Sequence, residues 1–98
     1  STTTAPAAGG PEYTTVSVQG GEPAGGVKTI TVEKGERARI QVSSQDTSDD
    51  VHVHGYDISR RLKAGDSVRL SFVADAEGIF EIELEETHTQ IARLVVEP

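Results

Sequence analysis

Residues 79–85 read IFEIELE, and from Phe80 onward apolar and acidic side chains alternate at every position. In a β-strand successive side chains point to opposite faces, which places Phe80, Ile82 and Leu84 on one face and the three glutamates on the other. This pattern predicts a half-buried strand with its acidic face in solvent. The glutamates therefore have a structural explanation, and we do not interpret them as a catalytic pair of carboxylates.

The same alternation recurs on both sides of this stretch, and no segment shows helical periodicity. Glycine-containing turns separate the short apolar segments, which is typical of a β-sandwich or barrel. We therefore predict an all-β domain of about seven or eight strands. Besides residues 79–85, the predicted strands are 13–19, 27–32, 37–43, 51–54, 57–62, 68–72 and 91–96.

Composition divides the chain into two parts. Residues 1–12 contain Thr, Ala, Gly and Pro with almost no large apolar residue, and we predict a flexible tail because such a segment cannot bury enough surface to become ordered. Residues 13–98 are long enough for one small domain. The chain begins at Ser1 without a Met, and we expect that an upstream export signal or lipid anchor preceded this tail, as in a bacterial periplasmic or cell-surface lipoprotein.

The overall charge restricts the partners. A net charge of −7 repels nucleic acid and anionic lipid, so neither is an expected partner. No apolar stretch is long enough to insert into a membrane. The chain has no cysteine and no methionine, so any metal site must use nitrogen and oxygen donors.

All three histidines lie in two places, His52 and His54 in one strand and His88 just before the last one. Residues two apart in a strand share a face, so His52 and His54 can bind one metal ion, and His88 is the candidate for a third nitrogen. Nearby acidic residues are candidates for an oxygen ligand or for orienting an imidazole. These are Asp49, Asp50, Glu85 and Glu86. The competing explanation is that the histidines and carboxylates are solvated surface groups.

From Lys28 onward the order of features resembles the cupredoxin family. His54 is followed two positions later by the aromatic Tyr56, and the later segments repeat the family's order of turns and strands. These segments are the turn 64–66, the strand 70–72, the Asp/Gly turn and aromatic strand 74–82, and the final strand 92–96. The resemblance implies a Greek-key β-sandwich of cupredoxin type, with copper at one pole.

The resemblance also shows a departure from the family pattern. It places the copper-ligating cysteine of the family at Leu84, its second histidine at His88 and its axial ligand near Gln90. A type 1 blue copper site needs a thiolate, which leucine cannot supply. The resemblance therefore implies a type 2 Cu(II) site formed by His54 and His88, with His52 as an added nitrogen, and not a blue copper electron carrier.

Three functions follow as hypotheses. The first is an extracytoplasmic domain that binds Cu(II), or with less support zinc, and holds or delivers it without catalysis. The second is a metal-free cupredoxin-like interaction or scaffold module of a secreted or membrane-tethered bacterial protein, with a membrane-associated protein as its partner. The third is a small metalloenzyme with three histidine ligands and an open water position.

Overall fold

The computed structural model describes residues 12–98, and this part of the chain forms nine strands and no helix. The strands are β1 (Thr14–Gln19), β2 (Glu22–Pro23), β3 (Lys28–Glu33), β4 (Arg37–Ser44), β5 (Asp49–Val53), β6 (Ile58–Leu62), β7 (Ser67–Val73), β8 (Gly78–Leu84) and β9 (Thr89–Glu97). The predicted tail, 1–12, lies outside the described residues except for Glu12. No helix suited to crossing a bilayer occurs among residues 12–98.

The strands form two sheets. One has four strands in the order β2-β1-β4-β7, and the other has five in the order β3-β9-β8-β5-β6. Most neighbours are antiparallel, but β1 pairs with β4, and β3 with β9, in parallel. Because β3, β4 and β5 follow one another in the chain but alternate between the sheets, the connections tie the two layers together. The predicted all-β sandwich is confirmed.

The core lies between the two sheets and consists of aliphatic side chains from alternate positions of the strands. Val51 and Val53 of β5 are completely buried, as are Ile82 and Leu84 of β8. Burying an aliphatic side chain of this size contributes about 1.5–3 kcal/mol. This burial fixes the face that each strand turns outward, since a slip of one residue would place the apolar set in solvent.

Two local features differ from the sequence prediction. The predicted strand began at residue 51, but β5 begins at Asp49, which pairs with Leu62 of β6. An acidic residue can start this strand because its carboxylate receives hydrogen bonds from neighbouring residues. The second feature is a bulge between β8 and β9, where Ile82 pairs with Ala92 but Glu83 pairs with Gln90, so that one extra residue of β9 is accommodated.

Candidate metal site

Strand β5 presents two histidines on the outer face of the five-stranded sheet. Val51 and Val53 point into the core, so His52 must point outward. The strand ends at Val53, but the backbone N–H of His54 still donates to the carbonyl of Glu81 at 2.9 Å, which extends the pairing by one residue. The two imidazole rings meet edge to face with their centroids 4.9 Å apart.

Glu83 of β8 completes the cluster. It lies directly opposite His52 in the pairing of β5 with β8, and its Oε1 is 2.6 Å from Nε2 of His54. Sequence alternation correctly placed Glu83 on the polar face of its strand. It did not identify Glu83 as a neighbour of the histidines, because that requires the register of two strands that lie 25 or more residues apart in the chain.

One donor atom from each of His52, His54 and Glu83 lies within 4.8 Å of the others. Two ligands on opposite sides of a metal, each about 2.0–2.1 Å from it, are separated by about 4 Å. Small side-chain rotations are therefore enough to bring these three donors to one ion. We call this cluster the His–Glu site.

One atom of the His–Glu site has no partner in the part of the chain that the structure describes. Nδ1 of His52 is buried and makes no hydrogen bond there. Leaving a buried polar atom unsatisfied costs about 1–3 kcal/mol. His52 is therefore not a structural histidine whose hydrogen bonds are complete.

The carboxylates around His54 change its protonation. The hydrogen bond that the His54 imidazole donates to the Glu83 carboxylate raises the pKa of His54 above its ordinary value. Desolvation opposes this increase, and the negative charges of Glu83, Glu81 and Glu85 each add a smaller one. The protonated imidazole is thus favoured at this position. Because a metal ligand must be the neutral imidazole, a proton and a metal ion compete for this nitrogen.

His88 lies apart from the other two histidines. It occupies the turn between β8 and β9, is exposed, and has a left-handed backbone with φ of 55°. The turn follows Leu84, which pairs with Val51 near the start of β5, whereas His54 follows the end of β5. His88 is not a member of the cluster of potential ligands that contains His52 and His54.

The acidic residues near the start of β5 have protein partners. Asp49 is buried, and its Oδ1 accepts hydrogen bonds from the backbone N–H groups of Asp50 and Glu86 at 2.6 and 2.8 Å, while its Oδ2 accepts one from the Thr87 hydroxyl at 3.2 Å. Asp50 and Glu86 both form ion pairs with Arg61, at 3.4 and 2.8 Å. These contacts attach the β8–β9 turn to the sheet.

A type 1 copper set does not fit this chain. Leu84, at the position where the resemblance places a cysteine, is fully buried in the aliphatic core, and no cysteine occurs in the sequence. The donors of the His–Glu site are two imidazoles and a carboxylate, which suit Cu(II) or Zn(II) in a type 2 or similar site.

Comparison with known proteins identifies the fold. No protein-family model matches the sequence, and no curated protein matches it either. Among solved structures, a copper-binding protein determined in its apo form is 22% identical, with a TM-score of 0.67 over 85% of this chain and 84% of that one. An amicyanin variant is 14% identical, with a TM-score of 0.60 over 87% of this chain and 82% of that one.

Larger proteins also contain this fold. A chain of a heme-copper terminal oxidase dimer is 17% identical, with a TM-score of 0.65 over 84% of this chain, which spans only 60% of the oxidase chain. These likenesses show that the protein is a cupredoxin-like domain in its fold, as the sequence resemblance predicted.

Proposed function

We propose that the protein is a copper-holding domain that binds Cu(II) through His52, His54 and Glu83. The observation that supports this proposal best is the convergence of three donor atoms within 4.8 Å on a rigid sheet face. The unsatisfied Nδ1 of His52 adds to it, because a buried polar nitrogen without a hydrogen bond is costly to maintain for structure alone. Neighbours of the same fold include a copper-binding protein.

Copper is favoured over the alternatives by donor chemistry. Imidazole binds both copper and zinc, but Cu(II) stands above Zn(II) in the order of affinities for a given nitrogen and oxygen site. Cu(I) prefers soft thiolate or thioether ligands, and the His–Glu site contains no sulfur. Its two imidazole nitrogens and one carboxylate therefore stabilise Cu(II) in preference to Cu(I). Such a site suits holding or delivering the oxidised ion, with zinc as the second choice, and without a thiolate ligand it does not suit the electron transfer of a blue copper site.

The compartment follows from the same chemistry. Cu(II) persists in oxidising surroundings outside the cytoplasm, where glutathione and thioredoxin do not keep a reducing potential. We infer an extracytoplasmic location, either periplasmic or at the cell surface. Fractionation of the producing cells with an antibody against the domain would test this location. Recovery of the domain in the cytoplasmic fraction would contradict it.

The test is a Cu(II) titration of the metal-free protein, followed by calorimetry and EPR. We expect one equivalent of Cu(II) to bind with an axial type 2 signal. His52→Ala and His54→Ala should each remove that signal, because either change leaves a single imidazole in the His–Glu site. Non-saturating binding that survives both substitutions would contradict the proposal.

His88→Ala is the matched control, since it removes the remaining histidine of the chain. The sequence prediction that His88 supplies a third nitrogen stays a prediction, and this variant decides it. The geometry of the His–Glu site predicts that His88→Ala retains full Cu(II) binding. Loss of binding in His88→Ala would instead favour the ligand set of His52, His54 and His88.

A second candidate is the metal-free interaction module, and one surface favours it. Strands β1, β4 and β7 contain no acidic residue, although the chain is strongly acidic overall. Their outer face carries Arg37, Arg39 and Arg69, and neither Arg37 nor Arg69 bonds to a carboxylate there, since they donate to Ser71 and Gln41. This face suits an acidic protein partner, including one at a membrane. Failure of Cu(II) to bind in the titration would make this the leading function.

A further inference from the structure

We propose that Asp57 is a fourth, exchangeable ligand of the His–Glu site, and that an acceptor of the metal replaces it during transfer. This inference rests on the proposed copper-holding function. Asp57 is in the turn that connects β5 to β6, immediately beyond the histidines. The sequence analysis did not identify it as a ligand.

The position of Asp57 is the first argument. Its Oδ1 lies 3.7 Å from Nε2 of His52, and because Asp57 is not one of the three residues whose donors converge, its exposed side chain must rotate to reach an ion held there. Its backbone has φ of 57°, in the left-handed region that aspartate tolerates better than most residues. The backbone N–H of Asp57 donates to the carbonyl of Val53 at 3.1 Å, which folds the turn back over the end of β5.

The anchoring of the turn is the second argument. The hydroxyl of Tyr56 donates to the carbonyl of Ala76 at 2.8 Å and accepts from the N–H of Ala76 at 3.1 Å. Its ring packs against Phe72 and Phe80, with both centroid distances at 4.9 Å. Tyr56 is thus a positioning residue that holds the turn from the inside and leaves the neighbouring Asp57 side chain free on the outside.

Differences in exposure indicate which ligands stay and which exchange. The side chains of His52 and Glu83 are only 17% and 14% exposed, whereas that of His54 is 48% exposed and that of Asp57 is fully exposed. An incoming ligand from another molecule can therefore reach the metal from the side of the turn. Within residues 12–98 the Asp57 carboxylate has one charged contact, the 3.7 Å approach to His52, so it can leave without disturbing the fold.

The experiment compares Asp57→Asn with wild type in Cu(II) affinity, in the EPR spectrum and in the rate of copper transfer to EDTA. Asp66→Asn is the control, because it changes the net charge equally at an exposed residue just before β7, a strand of the other sheet. We expect Asp57→Asn to weaken Cu(II) binding about 10- to 100-fold, which is the usual cost of losing a supporting group at a metal site. It should also accelerate transfer and shift the EPR parameters, while Asp66→Asn matches wild type.

The other outcomes separate this inference from the proposed function. Wild-type affinity, spectrum and transfer rate in Asp57→Asn would overturn the inference and leave the copper site intact. Weaker binding with an unchanged EPR spectrum would also overturn it, since Asp57 would then act only through His52. If wild type itself binds no Cu(II), both the inference and the proposed function fail.

Discussion

At the start of β5 the buried carboxylate of Asp49 receives three hydrogen bonds, whereas near its end the buried Nδ1 of His52 receives none from the described residues. Both groups belong to the same strand and are held by the same core. The difference is that the polar groups at the Asp49 end are saturated by the protein itself. At the His52 end, potential metal-binding atoms of three side chains converge, and Nδ1 of His52 has no hydrogen bond from the described residues.

The two ends of β5 contain similar types of residue and differ in whether their polar groups already have partners in the protein. Both ends contain acidic residues, and a histidine lies near each, His88 near one and His54 at the other. At the Asp49 end the neighbouring carboxylates are neutralised by Arg61. At the other end the Glu83 carboxylate pairs with the imidazole of His54, a partner that a metal ion can replace. The lesson is that unsatisfied and convergent donors, and not the presence of histidine, mark the candidate site.

The largest expected effect concerns the packing beneath the His–Glu site. Gly55 has φ of 87°, and a Cβ at this position would lie 2.5 Å from a ring carbon of Phe80. We expect Gly55→Ala to destabilise the domain by about 2–4 kcal/mol, because backbone strain and a steric clash add together. Urea unfolding measures this difference.

Gly65→Ala provides the control for Gly55→Ala. Gly65 has a similar φ of 83°, but nothing lies within 4 Å of its Cβ position. It should therefore show only the backbone cost, about 1 kcal/mol. Equal destabilisation by the two substitutions would mean that Phe80 does not restrict the turn that carries the site.

The next effect tests the Asp49 end. Asp49→Ala removes the acceptor for the N–H of Glu86 and the hydroxyl of Thr87, so we expect a loss of about 1–3 kcal/mol in the free energy of unfolding. Cu(II) affinity at 25 °C should not change, since the His–Glu site is at the other end of the strand. If Asp49→Ala abolished copper binding while the domain stayed folded, the division between the two ends would be wrong.

The smallest effect is a change in protonation at the His52 end. Because the hydrogen bond to Glu83 raises the pKa of His54, Glu83→Gln should return that pKa toward its ordinary value in an NMR titration. A raised pKa in the folded state means that protonated His54 stabilises the fold. That contribution is complete below the unfolded pKa of about 6.5 and disappears as the pH rises through the folded pKa. An unchanged titration in Glu83→Gln would show that Glu83 does not interact with His54 in solution.

Much of the fold can be predicted from the sequence, because alternation is a local signal. The pattern of 79–85 identifies β8 and its buried face, and the spacing of His52 and His54 puts them on one side of β5. The partner of these histidines depends on which residue of a distant strand lies opposite them. Glu83 was therefore assigned only to a solvent face.

The same limitation applies to the Asp49 end. Asp49 was expected to lie outside the strands as one of several candidate oxygen ligands, and it is instead the buried acceptor that holds the β8–β9 turn. Burial of a carboxylate depends on donors that approach from elsewhere in the chain, here from Glu86 and Thr87. No local pattern reports such an arrangement. His88 could be located just before the last strand, but its distance from His54 depends on the pairing of β5 with β8.

The central claim is tested most directly by crystals of the protein grown with one equivalent of Cu(II) and measured at the copper absorption edge. We predict a single anomalous peak within ligand distance of His52, His54 and Glu83. A peak beside His88 and the Asp49 end, or no bound copper at all, would contradict the account.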